Sequence, residues 1–270
     1  MTSKEDVRDF WDDASCGELL YLNGTDAEGF RRQSGIRYQL EPFIVPFADF
    51  PNSRGKKVLE IGVGLGADHQ SFAEGGAILS GIDLTQRAVT LTRNRFQVFG
   101  LYSDIQTGDA ENLPFPNDTF DIVYSWGVIH HSPDTQKAVH EIFRVLRPGG
   151  VCKVMIYHRY SLVGFMLWLR YALLVGMPFI SLDTIYAKHL ESPGTKAFSE
   201  DEARDMFSEF RDVSIAIQLC HGDLLSSDGG QRHSGPLLST ARWLWPRWLL
   251  KRLCRRNGLF MMIQATKAAV

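Results

Sequence analysis

The chain contains no CxxC pair. Its four cysteines, Cys16, Cys152, Cys220 and Cys254, stand far apart. A zinc site of the usual spacing is therefore not expected, and a disulfide framework does not suit a chain of 270 residues. No charge of one sign dominates either: 29 Lys and Arg meet 31 Asp and Glu, for a formal net charge of -2. Without a global positive field nothing recruits nucleic acid, so any basic function has to be local. The opening residues MTSKEDVRDFWDD are polar and acidic. They lack the basic start and apolar centre of a secretory signal. There is no internal repeat and no low-complexity tract. These absences predict a cytoplasmic, globular protein.

What is present is a large apolar content, 44% of residues, enough for one substantial core with insertions. Residues 56–157 alternate short β-rich runs with helical patterns. KVLEIG (57–62) reads as a strand ending in glycines. A helix over 67–74 is closed by Gly75 and Gly76. AILSGIDL (77–84) is the next strand. Thr85 caps a helix to Phe99, and Gly100 stops it. Further strands fall in 103–110 and 120–125. A helix over 134–146 buries Ala138, Ile142, Val145 and Leu146 and ends at Arg147-Pro148-Gly149-Gly150. VCKVMIY (151–157) is a fifth strand. This rhythm predicts right-handed crossovers and a doubly wound, mostly parallel sheet.

Beyond Tyr157 the rhythm breaks. An apolar cap insertion fills 158–198. Ser199, with Glu202 three positions on, forms a capping box for a helix through SEDEARDMFSEF. Residues 199–270 then carry strands at 213–219 and 259–267, separated by a basic, Trp-rich insertion at 221–258. Residues 1–55 form an N-terminal cap extension, helical around 38–50 and broken by Pro42 and Pro46.

The run E-I-G-V-G-L-G, Glu60 to Gly66, sits between a strand and a helix. Glycines there allow a sharp turn and close backbone approach to a ligand. The run also satisfies the dinucleotide pattern G-x-G-x-x-G/A, because Ala67 follows Gly66. Glu60 within the strand suits a ligand carrying an ammonium group better than a pyrophosphate. Asp83 ends the second strand, where a carboxylate accepts from ribose hydroxyls. Asp109 ends the third strand, where a nucleotide cradled by the first two would bring its adenine amino group.

With VLEIGVGLG, GIDLT, GDAENLPFPNDTFDIVYS and HEIFRVLRPGG in this order, the stretch 58–157 resembles the class I S-adenosylmethionine-dependent methyltransferases. The similar subgroup is the small-molecule one that includes the ubiquinone and menaquinone C-methyltransferases. The resemblance implies a Rossmann-like, seven-stranded sheet with the last strand antiparallel, and S-adenosylmethionine as cofactor, leaving as S-adenosylhomocysteine. It implies that Glu60, Gly62, Gly64 and Gly66 hold the methionine part. Asp83 would bind the ribose, with Leu84 beside the adenine. Asp109 and the Ala110 backbone would take the adenine amino group. Ser125 and Trp126 would lie near the methionine part and the sulfonium. The alternatives are an NAD(P)-dependent oxidoreductase and a non-catalytic, methyltransferase-like binding protein.

Methyl transfer needs alignment and exclusion of water, and a base only when the acceptor is bound protonated. The candidate bases are His130 and His131, after the fourth strand; His158 and His221 are weaker alternatives. Tyr38 and Cys16, in the N-terminal extension, are expected to pack. By topology both long insertions sit over the mouth of the site. Tyr160 to Leu182 carries one charge, Arg170, and is expected to be a buried lid helix. ARWLWPRWLLKRLCRR (241–256) holds six basic residues and no acid. Pro246 favours a helix starting there, and Trp248 is expected to close the acceptor pocket. That reading is preferred over contact with a membrane surface. The expected partner is a small-molecule acceptor, apolar or lipid-like, and not nucleic acid; a homo-oligomer stays open. No metal is expected.

Overall fold

The computed structural model describes residues 3–226, 242–243 and 245–269. Seven strands form one sheet: β1 Lys57–Ile61, β2 Ile78–Asp83, β3 Asp104–Thr107, β4 Phe120–Trp126, β5 Leu146–Tyr157, β6 Arg211–Gln218 and β7 Phe260–Thr266. Their spatial order is β3-β2-β1-β4-β5-β7-β6. Strands β1 to β5 pair in parallel, and β7 runs antiparallel between β5 and β6. The chain order reverses between β1 and β4, so a crevice opens at the carboxyl ends of those strands. Val58, Leu59 and Ile61 of β1 are buried, as a strand covered on both faces requires.

The crossover helices start and stop where local chemistry says they should. Helix α5 (Ala67–Glu74) follows Gly66, whose left-handed φ of 75° turns the chain out of β1. In α6 (Gln86–Phe99) the Thr85 side chain accepts from the Ala88 amide, and Gly100 closes the helix at φ 63°. Asp134 caps α7 (Thr135–Val145), which buries Ala138, Val139, Ile142 and Val145 against the sheet. The capping box of Ser199 and Glu202 is formed at the start of α10 (Glu200–Met206).

Several expectations are corrected. The sequence Arg147-Pro148-Gly149-Gly150 does not separate α7 from the next strand, because β5 begins at Leu146, paired with Phe120 across an irregular register. Helix α10 stops at Met206, four residues short of the expected run, as Phe207 and Phe210 turn into the core. In the N-terminal segment, α1 (Lys4–Asp13), α2 (Glu18–Tyr21), α3 (Ala27–Leu40) and α4 (Ile44–Ala48) precede β1. Pro42 falls in the break, but Pro46 lies inside α4. It sits in the first turn, where the missing N–H has no intrahelical partner to lose. The apolar run from Tyr160 is not one buried helix. It divides into α8 (Leu162–Tyr171), a 3-10 turn (Leu173–Val175) closed by Gly176 at φ 77°, and α9 (Leu182–His189). The middle of the run is exposed at Leu173, Leu174, Val175, Met177 and Phe179.

Helix α11 (Arg247–Leu253) starts directly after Pro246, as the sequence suggests. The rest of the expected insertion, at 227–241 and 244, lies outside the described residues. Helix α3 is fastened to the glycine loop by Arg95 of α6, which is fully buried. Its guanidinium donates to the carbonyls of Leu65 (2.6 Å) and Phe30 (2.7 Å) and to Gln33 (2.9 Å). That clamp fixes the N-terminal helices over the carboxyl edge of the sheet.

Candidate active site

A cavity of about 790 Å³ lies over the carboxyl ends of β1, β2, β3 and β4. Its floor is made by the turn after β1. Gly62, Gly64 and Gly66 all have left-handed φ, at 83°, 52° and 75°. A Cβ on Gly66 would stand 2.8 Å from Thr92 Cγ2, and one on Gly62 would collide with Val128, so these two are needed for packing. A Cβ on Gly64 meets nothing within 4 Å, so this residue faces open space.

Three carboxylates stand along the floor, each with a different set of partners. Asp83 accepts from the Gly64 amide (3.1 Å) through Oδ2 and from the Thr85 amide (3.0 Å) and hydroxyl (2.9 Å) through Oδ1. Burial raises its pKa, against the pull of those donors. Asp109 Oδ1 accepts from the Glu111 amide at 2.9 Å. Its Oδ2 lies 2.6 Å from the Lys4 ammonium, which also meets Glu111 Oε2 at 2.6 Å, so α1 is pinned over the end of β3. Glu60 is buried, and its Oε2 lies 2.9 Å from His69 Nδ1. Burial and the negative Asp68 push its carboxyl well above the ordinary range.

Asp68 resolves the opposite way. Burial opposes its ionisation, but Arg37 outweighs that and lowers the pKa. The guanidinium of Arg37 grips it at 3.0 and 2.7 Å, and the hydroxyls of Tyr124 (2.9 Å) and Tyr38 (3.0 Å) donate to it. Of two neighbouring buried carboxyls, the one with the cation and two hydroxyl donors keeps the charge. Arg37, from α3, borders the cavity beside Glu60 and the glycine turn.

A second polar group lines the side away from the glycines. His131 Nδ1 lies 2.8 Å from Ser192 Oγ and 3.1 Å from Thr195 Oγ1, and its Nε2 lies 3.4 Å from Glu191 Oε2. The Tyr157 hydroxyl donates to the same Glu191 oxygen at 2.7 Å. Burial opposes ionisation of Glu191, yet His131 and Tyr157 hold its carboxyl below the ordinary range. Glu41 borders the cavity too, 3.7 Å from Arg37 and 3.8 Å from His221. Burial lifts its pKa to about 7. Cys16, expected to pack, is instead exposed where it opens onto the cavity.

Of the residues expected from the sequence, Glu60, Gly62, Gly64, Gly66 and Asp83 border this cavity together. So do Leu84, Asp109, Ala110, Trp126 and His131. Ser125 and His130 do not border it. Ser125 is fully buried in β4, pointing to the opposite face from Trp126. His130 is fully buried, its ring 4.0 Å from that of Tyr157, and neither ring nitrogen has a hydrogen-bond partner among the described residues. His158 is buried and tied to the Gly258 carbonyl at 3.2 Å, whereas His221 borders the cavity. Tyr38 packs against the core as expected, and its hydroxyl also donates to Asp68, which the sequence did not suggest. Trp245 reaches the cavity, with its indole donating to the Asp223 carbonyl at 3.0 Å, whereas Trp248 is exposed and does not. Sequence reasoning missed Lys4, Arg37, Glu41, Asp68, Tyr157 and Glu191.

Residues 59–154 match the family model of a methyltransferase domain. Over 101 residues, 37% of each chain, the sequence is 41% identical to the phthiotriol/phenolphthiotriol dimycocerosates methyltransferase of Mycobacterium leprae. It is 30% identical over 159 residues to the demethylmenaquinone methyltransferase of Tropheryma whipplei, covering 57% of this chain and 65% of that one. The chain thus spans little more than a third of the first of these relatives, 37% of its length. Among solved structures, phosphoethanolamine N-methyltransferase 2 of Haemonchus contortus aligns with a TM-score of 0.63 at 18% identity, over 99% of this chain and 60% of that one. A putative methyltransferase solved with the Haloferax volcanii Trm112 activator aligns with a TM-score of 0.62 at 18% identity, over 98% of both chains. These structures share the fold. Residues 59–154 are thus a methyltransferase domain, and the sheet that carries them has the fold of the solved methyltransferases it aligns with.

Proposed function

We propose that this protein transfers a methyl group from S-adenosylmethionine to an apolar small molecule held in the same cavity. The observation that carries this is the continuity of one cavity from the glycine turn to an apolar cap. At one end stand Gly64, Glu60, Asp83 and Asp109; at the other, Leu20, Val163, Met166, Leu167, Leu190 and Phe260. Residues 56–157 then serve as the cofactor-binding core. Residues 1–55, 158–198 and the described parts of 221–258 cover it.

The donor end fits the proposed cofactor. Gly64 leaves open space where a ligand can touch backbone. Glu60 is a buried carboxyl without a cation of its own, which suits an ammonium group. Arg37 stands where a carboxylate would be met. Asp83 keeps lone pairs for ribose hydroxyls, and Asp109 and the Ala110 backbone stand where an adenine would lie. When bound, S-adenosylmethionine supplies an activated methyl on a sulfonium. The protein's own work is to align the acceptor and keep water out. Where the acceptor must lose a proton, His131 is placed to take it. Ser192 and Thr195 fix its ring, and Glu191 stabilises the imidazolium.

The relatives named above are methyltransferases of a dimycocerosate and of a demethylmenaquinone, which supports a lipid-like or quinone-like acceptor here. The oxidoreductase alternative is not favoured by the family match. Calorimetry of S-adenosylmethionine against NAD, followed by assay of S-adenosylhomocysteine formed with apolar extracts, tests the reading. Binding of NAD in place of S-adenosylmethionine would overturn it.

A further inference from the structure

The middle of the apolar insertion projects as a tip. After α8 the chain exposes Leu173, Leu174, Val175 and Met177, then Phe179, which is 99% exposed. Contiguous large apolar side chains in water mark a surface meant for an apolar partner. Leu174 is 72% exposed and also borders the cavity, as do Leu169 and Arg170. The exposed tip and the rim of the acceptor cavity are thus the same structure. An apolar molecule using this rim passes over apolar side chains rather than through water.

The two cap segments that carry the tip and α11 are poor in acid. Residues 160–182 carry Arg170 alone, and 241–256 carry six basic residues with no acid. Lys251, Arg252 and Arg255 are exposed, and no carboxylate pairs with them among the described residues. Trp243 and Trp248 are exposed in the same segment. The basic segment is fastened to the base of α8. Asn257 accepts from the Leu162 amide (2.8 Å) and donates to the Tyr160 carbonyl (3.0 Å). Asp223 accepts from the Val163 amide (3.2 Å) through its side chain and from the Trp245 indole (3.0 Å) through its carbonyl. No helix among the described residues is long and apolar enough to cross a membrane. What remains is an apolar tip on α8 and, joined to the base of the same helix, a segment with exposed aromatic rings and cations that no carboxylate meets among the described residues, the combination that settles at an anionic headgroup layer.

We infer that the α8 tip and α11 dock the protein on an anionic lipid surface and bring the cavity rim to the bilayer, from which the acceptor enters. This rests on the apolar-acceptor reading above, and its test does not depend on turnover. The protein is sedimented with vesicles of phosphatidylcholine alone or mixed with phosphatidylglycerol, at rising salt. Cosedimentation is expected with the mixed vesicles only, falling as salt rises through screening. The variants V175S/F179S and R252E/R255E should each lower the bound fraction about tenfold, while calorimetry with S-adenosylmethionine shows unchanged affinity. The R252E/R255E pair changes only exposed side chains and keeps the test valid should the tip variant misfold. Equal binding to neutral vesicles, or no effect of R252E/R255E, would overturn the inference. So would absence of vesicle binding together with a dimer in ultracentrifugation that F179S dissociates, since the tip would then cover a second copy of the chain.

Discussion

Glu60 and His69 share a proton whose position is fixed from the far side of the imidazole. The Ser103 hydroxyl donates to the Leu79 carbonyl at 2.9 Å, and so spends its one hydrogen there. It must therefore accept from His69 Nε2, 2.8 Å away. Burial pushes the His69 pKa down to about 3, so the ring is neutral and its Nδ1 is bare. The 2.9 Å contact between Nδ1 and Glu60 Oε2 then requires the carboxyl to be the donor. Glu60 is protonated, in line with its raised pKa.

Capture of an ammonium group by Glu60 consequently expels that proton. Near pH 7, S-adenosylmethionine binding should release a large part of one proton. Calorimetric titrations in buffers of different ionisation enthalpy measure the number directly. Glu60→Gln should remove the linkage and weaken binding roughly 10- to 100-fold, about 1.4–2.7 kcal/mol. A binding enthalpy independent of buffer would contradict the assignment of the proton.

Asp83 holds the Gly64 amide as well as facing the cavity, so its replacement has two consequences. Asp83→Ala should weaken S-adenosylmethionine binding by about 1.5–3 kcal/mol, through loss of charge-assisted hydrogen bonds. Asp83→Asn retains one oxygen acceptor and should give an intermediate loss with an unchanged melting temperature. Calorimetry on the two folded variants distinguishes them. Equal affinities in both and in the parent protein would remove Asp83 from the site.

The adjacent histidines are predicted to separate cleanly. His131 borders the cavity and His130 lies behind it, its ring tilted against that of Tyr157. If the acceptor gives up a proton, His131→Ala should lower kcat by roughly 10²–10⁴-fold with little change in cofactor affinity. His130→Ala should instead cost about 1–3 kcal/mol of stability by opening a void. Its effect on kcat should be the smaller one. Thermal melts and steady-state rates on both variants decide between the roles, and a base at position 130 would reverse the pattern.

The parts of this site that sequence revealed are those whose signals are local. The glycine turn, Thr85, Gly100, Asp134 and the Ser199–Glu202 box act on neighbours within a few residues, so their chemistry is printed in order. Arg37 meets Asp68 across 31 positions, and Lys4 meets Asp109 across 105. No periodicity marks a pair of that kind. Glu191 sits in a loop whose only hint is its place after the fifth strand. The tip of α8 failed to be read for another reason. Hydropathy records that a run avoids water, and a buried helix and an exposed docking tip satisfy it equally. Two adjacent histidines were indistinguishable until the 3-10 turn Ile129–His131 set which ring met the cavity.

Glu41 gives the fold a pH dependence of calculable sign. Its carboxyl is buried, one oxygen has no hydrogen-bond partner, and its pKa stands at about 7 against an ordinary 4.5. Between those values the folded chain binds more protons at this position than the unfolded chain does. Stability contributed by Glu41 is therefore complete below pH 4.5 and falls as pH rises to 7, where the loss levels off. The charged or titratable groups nearest to it are Arg37, Asp68, Glu191 and His221. Burial lowers the pKa of His221, which by itself favours the folded chain as pH rises, so the Glu41 contribution is read as the difference between the parent and Glu41→Gln. The full effect is about 3 kcal/mol, from the size of the shift. Glu41→Gln should remove this slope and leave the variant more stable than the parent above neutrality, by an amount that shrinks towards pH 5. Urea denaturation of both proteins across that range measures the difference. Parallel curves for the two proteins would show that Glu41 ionises normally and that the cavity wall beside Arg37 is wetter than its burial implies.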